Sequence, residues 1–371
     1  PEHLNGRGIE IVKGKARFTG PAALDVDGRL IKASHFLIAT GSRPVVPEIP
    51  GLDGVPFFTP ETIFELTRRP SHLIVVGAGA TGLALAQSHL RLGAQVTVVE
   101  MLEPLAGEDT ELVDIVLRRL RAEGLELHMH TGIVSIAGSD DEEITLDIKA
   151  GPDEEQITGS HLLVATGREA DFEGLGLEDA RVRMQGRRPA LARFGRTSNR
   201  RIFIVGDAAG HDGVHAARHS AELAVDAITG SASGEGLVPR IVHTSPAIAW
   251  VGMTEAGARA AFKDRFEIVR MALAQTDAAR ARAQPHGHAK IILDSAGRVV
   301  GAGVVGTTAP ELVPVFALAI ARKMNLSELG GLTVPYASFA QIIQLAAAEY
   351  AASHPQARPA GWRRVLKRLL P

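Results

Sequence analysis

Residues 72–100 read HLIVVGAGATGLALAQSHLRLGAQVTVVE, and this stretch decides the fold. The apolar run Leu73–Val76 is too short for a helix and ends in glycine, so it reads as a buried strand. Gly77-Ala78-Gly79-Ala80-Thr81-Gly82 follows, and an Ala/Leu-rich helix opens within it. A second apolar strand, Gln95–Val99, ends in Glu100. Each glycine has its own task in such a turn. Gly77 permits the tight bend, Gly79 lets backbone approach a pyrophosphate at the helix N-terminus, and Gly82 lets helix and strand pack closely. Glu100 stands about 20 residues on from Gly77, where a carboxylate accepts hydrogen bonds from a ribose diol. The glycines, Ala80, Thr81 and Glu100 are therefore the candidate dinucleotide-binding residues. A carboxylate repels a 2′-phosphate, and Met101 and Leu102 offer no cation, so NAD is favoured over NADP.

Outward from this segment, residues 71–130 run strand, turn, helix, strand, helix, an order that builds a parallel sheet. Upstream, Ile9–Val12, Ala16–Phe18, Leu24–Val26 and Phe36–Ala39 read as short strands separated by turns. Gly41–Pro60 reads as a Pro- and Gly-rich connector. Residues 131–170 return to strands, with an acidic turn at Asp140–Glu143. Ile202–Val205 is another apolar strand, followed by a helix expected over Val214–Thr229. Gly230–Gly236 reads as a linker. Beyond it, strands are expected at Ile248–Met253, Phe266–Met271, Ala289–Leu293 and Val299–Val305, then helices at Ala309–Lys323 and Ser338–Ala352. This segregated order suggests a separate α+β domain.

Composition bounds the function. The chain has 371 residues, 22% of them charged, with a formal net charge of −2. That balance gives no reason to expect nucleic acid as a partner. Aromatic residues are 4%, too few for a base-stacking surface. With no cysteine, the chain supplies no disulfide, thiolate metal site or nucleophilic thiol. No apolar run reaches the roughly 18 residues that span a bilayer, and no signal peptide opens the sequence, so the expected compartment is cytoplasmic. His286/His288 and His128/His130 have the i, i+2 spacing that shares one face of a strand, but no further ligands accompany them, and no metal is expected. The tail GWRRVLKRLL from Gly361 reads as a basic amphipathic helix end, for which solvent is favoured over an anionic membrane surface.

Three segments echo one another. FLIATGSRP (Phe36–Pro44) and LLVATGREAD (Leu162–Asp171) each end an apolar strand in Ala-Thr-Gly, and RIFIVGDAAG (Arg201–Gly210) ends one in Gly-Asp. Alone, each is an ordinary strand-to-loop turn. In this order around a dinucleotide turn, they make the chain resemble the pyridine nucleotide-disulfide oxidoreductases, of the dihydrolipoamide dehydrogenase and mercuric reductase type. SPAIAWVGMTEAGA (Ser245–Ala258) and RVVGAGVVGTTAPEL (Arg298–Leu312) resemble that family's dimerisation domain. The likeness covers roughly residues 1–350.

The resemblance implies an α/β fold: two nested Rossmann-like nucleotide-binding domains, the FAD domain incomplete, plus a C-terminal α+β dimerisation domain. The implied division is 1–68 as a remnant of the FAD domain, 69–172 for NAD(P), 173–230 returning to FAD, 237–352 for dimerisation and 353–371 as a basic tail. It also implies hydride passing from NAD(P)H to FAD and on to a disulfide or other small acceptor, in a homodimer. Asp207, after Gly206, corresponds to the carboxylate that binds the ribityl chain; a loop-capping aspartate is the alternative. Val214, His215 and Ala216 correspond to the helix start at the flavin pyrimidine edge, Thr40 and Gly41 to a backbone contact with FAD, and Gly167 to the nicotinamide side. The sequence opens at Pro1, and the expectation is that the family's first glycine motif and cysteine pair lie upstream. Ala84 stands where many members carry an acid. Val334 and Gln341 stand at the family's catalytic His and Glu positions, so no catalytic residue is assigned, and Tyr336 between them reads as an interface residue. Two other readings stay open: a dimeric NAD-binding module without turnover, and a membrane-associated NADH dehydrogenase.

Overall fold

A computed structural model describes residues 4, 6–138, 143–232, 234 and 236–355. The helix expected in the tail and most of the acidic turn at 140–143 lie outside them. The chain forms two compact units, Pro1–Arg43 with Arg168–Gly236, and Pro44–Gly167 with Leu237–Pro371. Among the described residues no helix is long and apolar enough to cross a membrane.

The second unit is built on a four-stranded parallel sheet, in the order His161–Val164, His72–Val76, Gln95–Val99, Glu126–His128. Its inner runs, residues 73–76 and 96–99, the second interrupted only by the buried Thr97, are apolar because both faces are covered. Leu73, Val75, Val96 and Val98 pack against Leu83, Ala86, Leu112 and Val116 of helices Ala80–Arg91 and Thr110–Ala122. Ile74, Val76, Val99 and Leu162 face a three-stranded antiparallel sheet through Ile136, Leu146 and Ile157.

The C-terminal part of this unit is a five-stranded antiparallel sheet ordered Arg240–Val242, Ala247–Gly252, Val299–Gly306, His288–Asp294, Phe266–Ala272. One face is covered by helices Ala309–Ala321 and Gln341–Ser353, through Phe316, Ile342 and Ile343. The other shares a core with helices Ala80–Arg91 and Thr110–Ala122, with Trp250 and Ile248 beside Leu112 and Val116. The string Gly301-Ala302-Gly303-Val304-Val305-Gly306 has the same glycine spacing as residues 77–82 but lies inside a strand of this sheet. There, a side chain on Gly303 would collide with the Trp250 ring and one on Gly301 with the Met253 carbonyl. These glycines make room for neighbours and open no turn.

The first unit pairs strands Phe36–Ile38 and Ile202–Ile204 in parallel and adds the meander Ala16–Gly20, Ala23–Val26, Arg29–Lys32. Phe18, Ile38, Leu177, Ile202 and Ile204 form its core. Helix Val214–Thr229 covers the opposite face of the Ile202–Ile204 strand through Ala224 against Phe203 and Val205.

The expected strand at Ile9–Val12 does not form. Ile9 and Ile11 are 48% and 41% exposed, the Ile9 N–H goes to the Leu4 carbonyl at 3.2 Å, and among the described residues no strand pairs with this stretch. The histidine pairs do not share a strand face either. His130 lies beyond the Glu126–His128 strand with φ of 54°, and His286 precedes the His288–Asp294 strand.

Candidate nucleotide-binding sites

The glycine-rich turn of the second unit is shaped by close packing. Gly77 has φ of 107°, donates its N–H to the Val99 carbonyl at 2.9 Å, and would place a Cβ 2.5 Å from the Ala165 carbonyl oxygen. A Cβ on Gly82 would overlap the Gly77 carbonyl. Gly79, the N-cap of helix Ala80–Arg91, faces open space and gives the helix no side-chain cap. The first-turn N–H groups of Ala80, Thr81 and Gly82 therefore have no side-chain acceptor, and the helix dipole puts partial positive charge at that end. An anion such as a diphosphate would find unshared N–H donors and a favourable dipole there.

Glu100 closes the same turn. Its Oε2 accepts from the Ala78 N–H at 2.7 Å and its Oε1 from the Leu102 N–H at 2.8 Å. Its backbone is fixed on both sides, donating to the His128 carbonyl at 2.8 Å and accepting from the Thr131 N–H at 3.0 Å. Met101 and Leu102 beside it are 67% and 60% exposed and carry no charge. Gly167 follows the His161–Val164 strand with φ of 130°; its carbonyl accepts from the Val45 N–H at 3.0 Å, and its Cα faces open space.

In the first unit, Gly206 has φ of 65° and donates its N–H to Ser220 Oγ at 2.9 Å. The Asp207 carboxylate accepts from Ser42 Oγ at 3.0 Å, and Arg168 donates to that same Oγ at 2.7 Å. The two Ala-Thr-Gly segments are thus physically joined, since Ser42 belongs to one and Arg168 to the other. Thr40 Oγ1 donates to the Asp171 carbonyl at 2.6 Å, and the Gly41 carbonyl accepts from the Asp171 N–H at 3.2 Å. Those two bonds brace the loop, so Thr40 would meet a ligand through its backbone rather than its hydroxyl. Helix Val214–Thr229 starts after Gly213, whose φ of 95° no other residue adopts without strain, and has no side-chain cap. Val214 is 88% exposed, His215 is also exposed and Ala216 is buried. An uncapped helix N-terminus and the Asp207 carboxylate, both in this unit, suit the ring and polyol end of a flavin dinucleotide. Among the described residues this unit has no glycine-rich strand–turn–helix for the diphosphate end.

At the two C-terminal positions singled out by the sequence, neither side chain is a titratable base. Val334 is half-buried, and the Gln341 Oε1 is spent accepting from the Asp277 N–H at 3.1 Å. Tyr336 is 86% exposed in the single chain.

A charged cluster that the sequence did not suggest lies at the start of helix Thr110–Ala122. Lys290 is 1% exposed, and its Nζ reaches Asp109 at 2.7 Å, Glu111 at 2.8 Å and Glu255 at 2.8 Å. Burial pushes the ammonium pKa down, but the three carboxylates outweigh it and the net shift is upward. Arg270, the cross-strand neighbour of Lys290, makes two bonds to Glu111 at 2.7 and 2.8 Å. Chiefly through Arg270, against a smaller opposing effect of burial, the Glu111 carboxyl is held down at about 2.

Comparison with known proteins agrees with this architecture. Residues 2–229 match the family described as pyridine nucleotide-disulphide oxidoreductase, and residues 238–347 match the dimerisation domain of that family. A mercuric reductase of Streptomyces lividans is 34% identical over 355 residues, covering 92% of this chain and 74% of that protein. A dihydrolipoyl dehydrogenase of Thermus scotoductus is 33% identical, covering 93% of this chain and 76% of the relative. The chain spans 63% and 55% of the mercuric reductases of Lysinibacillus sphaericus and Bacillus cereus. Among solved structures, LpdA of Mycobacterium tuberculosis superposes with a TM-score of 0.85 at 26% identity, covering 94% of this chain and 79% of that one.

Proposed function

This chain belongs to the pyridine nucleotide-disulphide oxidoreductase family, whose members use FAD and NAD(P)H, and from that premise we propose that it is an NADH-dependent flavoprotein oxidoreductase acting as a homodimer. The single observation that carries the nucleotide half of this reading is the Gly77–Gly82 turn closed by Glu100. Ala80, Thr81 and Gly82 would bind the diphosphate through their N–H groups. Each Glu100 oxygen has two lone pairs and gives one to backbone, leaving one each for the ribose hydroxyls. A 2′-phosphate would meet that carboxylate with no neighbouring cation at 101 or 102, which favours NAD.

In the first unit, Asp207 and the start of helix Val214–Thr229 would orient a flavin. The helix N-terminus would favour the negative charge that accompanies reduction. A bound flavin supplies the two-electron step between the nicotinamide and the acceptor. This chain supplies no thiol, and neither Val334 nor Gln341 moves a proton, so the reading favours an acceptor other than a dithiol.

The test uses the purified 371-residue chain: flavin absorbance after reconstitution with FAD, an NADH fluorescence titration, and NADH-dependent reduction of ferricyanide. Binding of both nucleotides with dye reduction supports the reading. NADH binding without flavin retention favours a non-catalytic nucleotide-binding module. Failure to bind NADH overturns the reading.

A further inference from the structure

We infer that Lys290, a residue of the dimerisation-domain sheet, is a positioning residue for the nicotinamide nucleotide site, acting through the connector between Glu100 and Asp109. The inference rests on the NADH reading above and deepens it. It begins from a buried charge whose three ion-pair partners all lie outside its own sheet.

Lys290 lies on an inner strand and points out of its sheet toward the first turn of helix Thr110–Ala122. Asp109 is that helix's N-cap. Its Oδ1 accepts from the Glu111 N–H at 3.1 Å while its Oδ2 takes the Lys290 ammonium. The Asp109 side chain is itself only 5% exposed. Moving Asp109 away from Lys290 would leave that buried carboxylate without its ion pair, which is costly, whereas Lys290 keeps Glu111 and Glu255. The far end of the connector is therefore clamped to the dimerisation-domain sheet. Arg240, on the edge strand of the same sheet, adds a contact of 3.3 Å to Glu108.

The connector is also bound to the glycine-rich turn. Leu105 is 4% exposed, has φ of 52°, and donates its N–H to the Ala78 carbonyl at 3.0 Å. A leucine holds that backbone conformation only where its surroundings fix it. Ala78 in turn donates to Glu100. Residues 100–109 are thus held at their start by the turn, in the middle by Leu105 and at the end by Lys290. The Ala78 peptide has its N–H on Glu100 and its C=O on Leu105. A shift of Asp109 would reach Ala78 through five residues of chain, and Ala78 stands between Gly77 and Gly79 in the glycine-rich turn.

The experiment measures NADH affinity by fluorescence titration and thermal stability in parallel, on the full chain. Asp109→Asn keeps the N-cap, which asparagine fills as well as aspartate, but turns an amide toward Lys290. Glu123→Gln is the stability control. It removes an ion-pair cluster at the opposite end of the same helix, remote from the connector. Lys290→Met is the stronger variant and Lys290→Arg its conservative partner. The expected result is a rise in NADH Kd of about three- to tenfold for Asp109→Asn, within the roughly two- to thirtyfold range of coupling through packed elements, with Glu123→Gln lowering the melting temperature and leaving Kd within twofold. Lys290→Arg should restore most of the affinity that Lys290→Met loses. Should Lys290→Met fail to fold, the Asp109→Asn and Glu123→Gln pair decides alone. If wild type binds NADH and Asp109→Asn binds it equally well, Lys290 is structural only and the inference falls. If wild type does not bind NADH, the glycine-turn reading fails first.

Discussion

Glu100→Gln separates the two jobs assigned to this carboxylate. In the folded chain its two oxygens each hold one backbone N–H, at 2.7 Å from Ala78 and 2.8 Å from Leu102. Glutamine keeps one carbonyl oxygen and puts an NH₂ where the other stood. One backbone N–H therefore faces a donor. Hydrogen bonds to a charged group contribute about 1.5–3 kcal/mol each. The loss of one such bond in the free protein should lower stability by about that amount. On binding, one ribose hydroxyl loses its anionic acceptor and the other accepts from, or donates to, a neutral amide. A deficit of about 1.5–3 kcal/mol corresponds to a rise in NADH Kd of about 10- to 150-fold. NADPH affinity should fall less or rise, because a negative charge has been removed from beside the 2′-phosphate.

The assay is a pair of fluorescence titrations, NADH and NADPH, on wild type and Glu100→Gln, with a urea melt to confirm that the variant is folded at the assay concentration. The informative quantity is the ratio of the two dissociation constants, since a general loss of structure weakens both cofactors alike. The reasoning fails if the variant binds NADH with wild-type affinity, or if wild type already prefers NADPH.

Three further outcomes follow from the geometry. Gly82→Ala should abolish NADH binding, because its Cβ overlaps the Gly77 carbonyl, while flavin absorbance, which reports on the first unit, should be retained; NADH titration beside a flavin spectrum checks it. Glu123 is held down at about 2, foremost by the Arg91 guanidinium, with burial opposing and Gln87 and Arg119 adding to it, so its stabilisation should be complete above about pH 4.5 and lost as pH falls toward 2. Allowing for solvent screening, Glu123→Gln should cost about 1–2 kcal/mol at pH 7 and almost nothing at pH 2, read from urea melts at both. Neither wild type nor Val334→His/Gln341→Glu should turn over lipoamide with NADH, since an added base has no thiol to serve; strong turnover by this chain would sink the acceptor reading.

The sequence was most legible where local geometry alone sets the structure. Helix Val214–Thr229 forms with the expected ends because Gly213 and Gly230 bracket it, and both have positive φ. The strand–turn–helix at 72–91 follows from glycines that each face a specific obstacle or opening. The same spacing at Gly301–Gly306 shows what makes such a motif informative. There the apolar run continues through the glycines, and the Thr307–Thr308 turn comes only after them, so the string stays a strand. Where burial needed a partner that the local pattern does not supply, the reading failed. Ile9–Val12 has strand-forming residues but no neighbouring strand, and the i, i+2 rule for His128 and His130 failed when the chain turned at His130.

What remained hidden depends on contacts far apart in sequence. Lys290 meets Asp109 across 181 positions and Arg168 meets Ser42 across 126. A lysine within HAKIILD reads as the polar member of a half-exposed strand, because its three acids come from another helix start and another cap. The signal that could have found it is the strand itself. Ala289, Ile291, Ile292 and Leu293 leave no solvent-facing side in a sheet covered on both faces, so the lysine among them had to be buried and therefore paired. The same logic bears on the chemistry. If the inference holds, a buried, fully paired lysine between the dimerisation-domain sheet and the connector after Glu100 would make nucleotide affinity depend on residues that never touch the nucleotide. In a family read mainly through its glycine motifs, that dependence would give the domain matched as the dimerisation domain a second role, in cofactor binding.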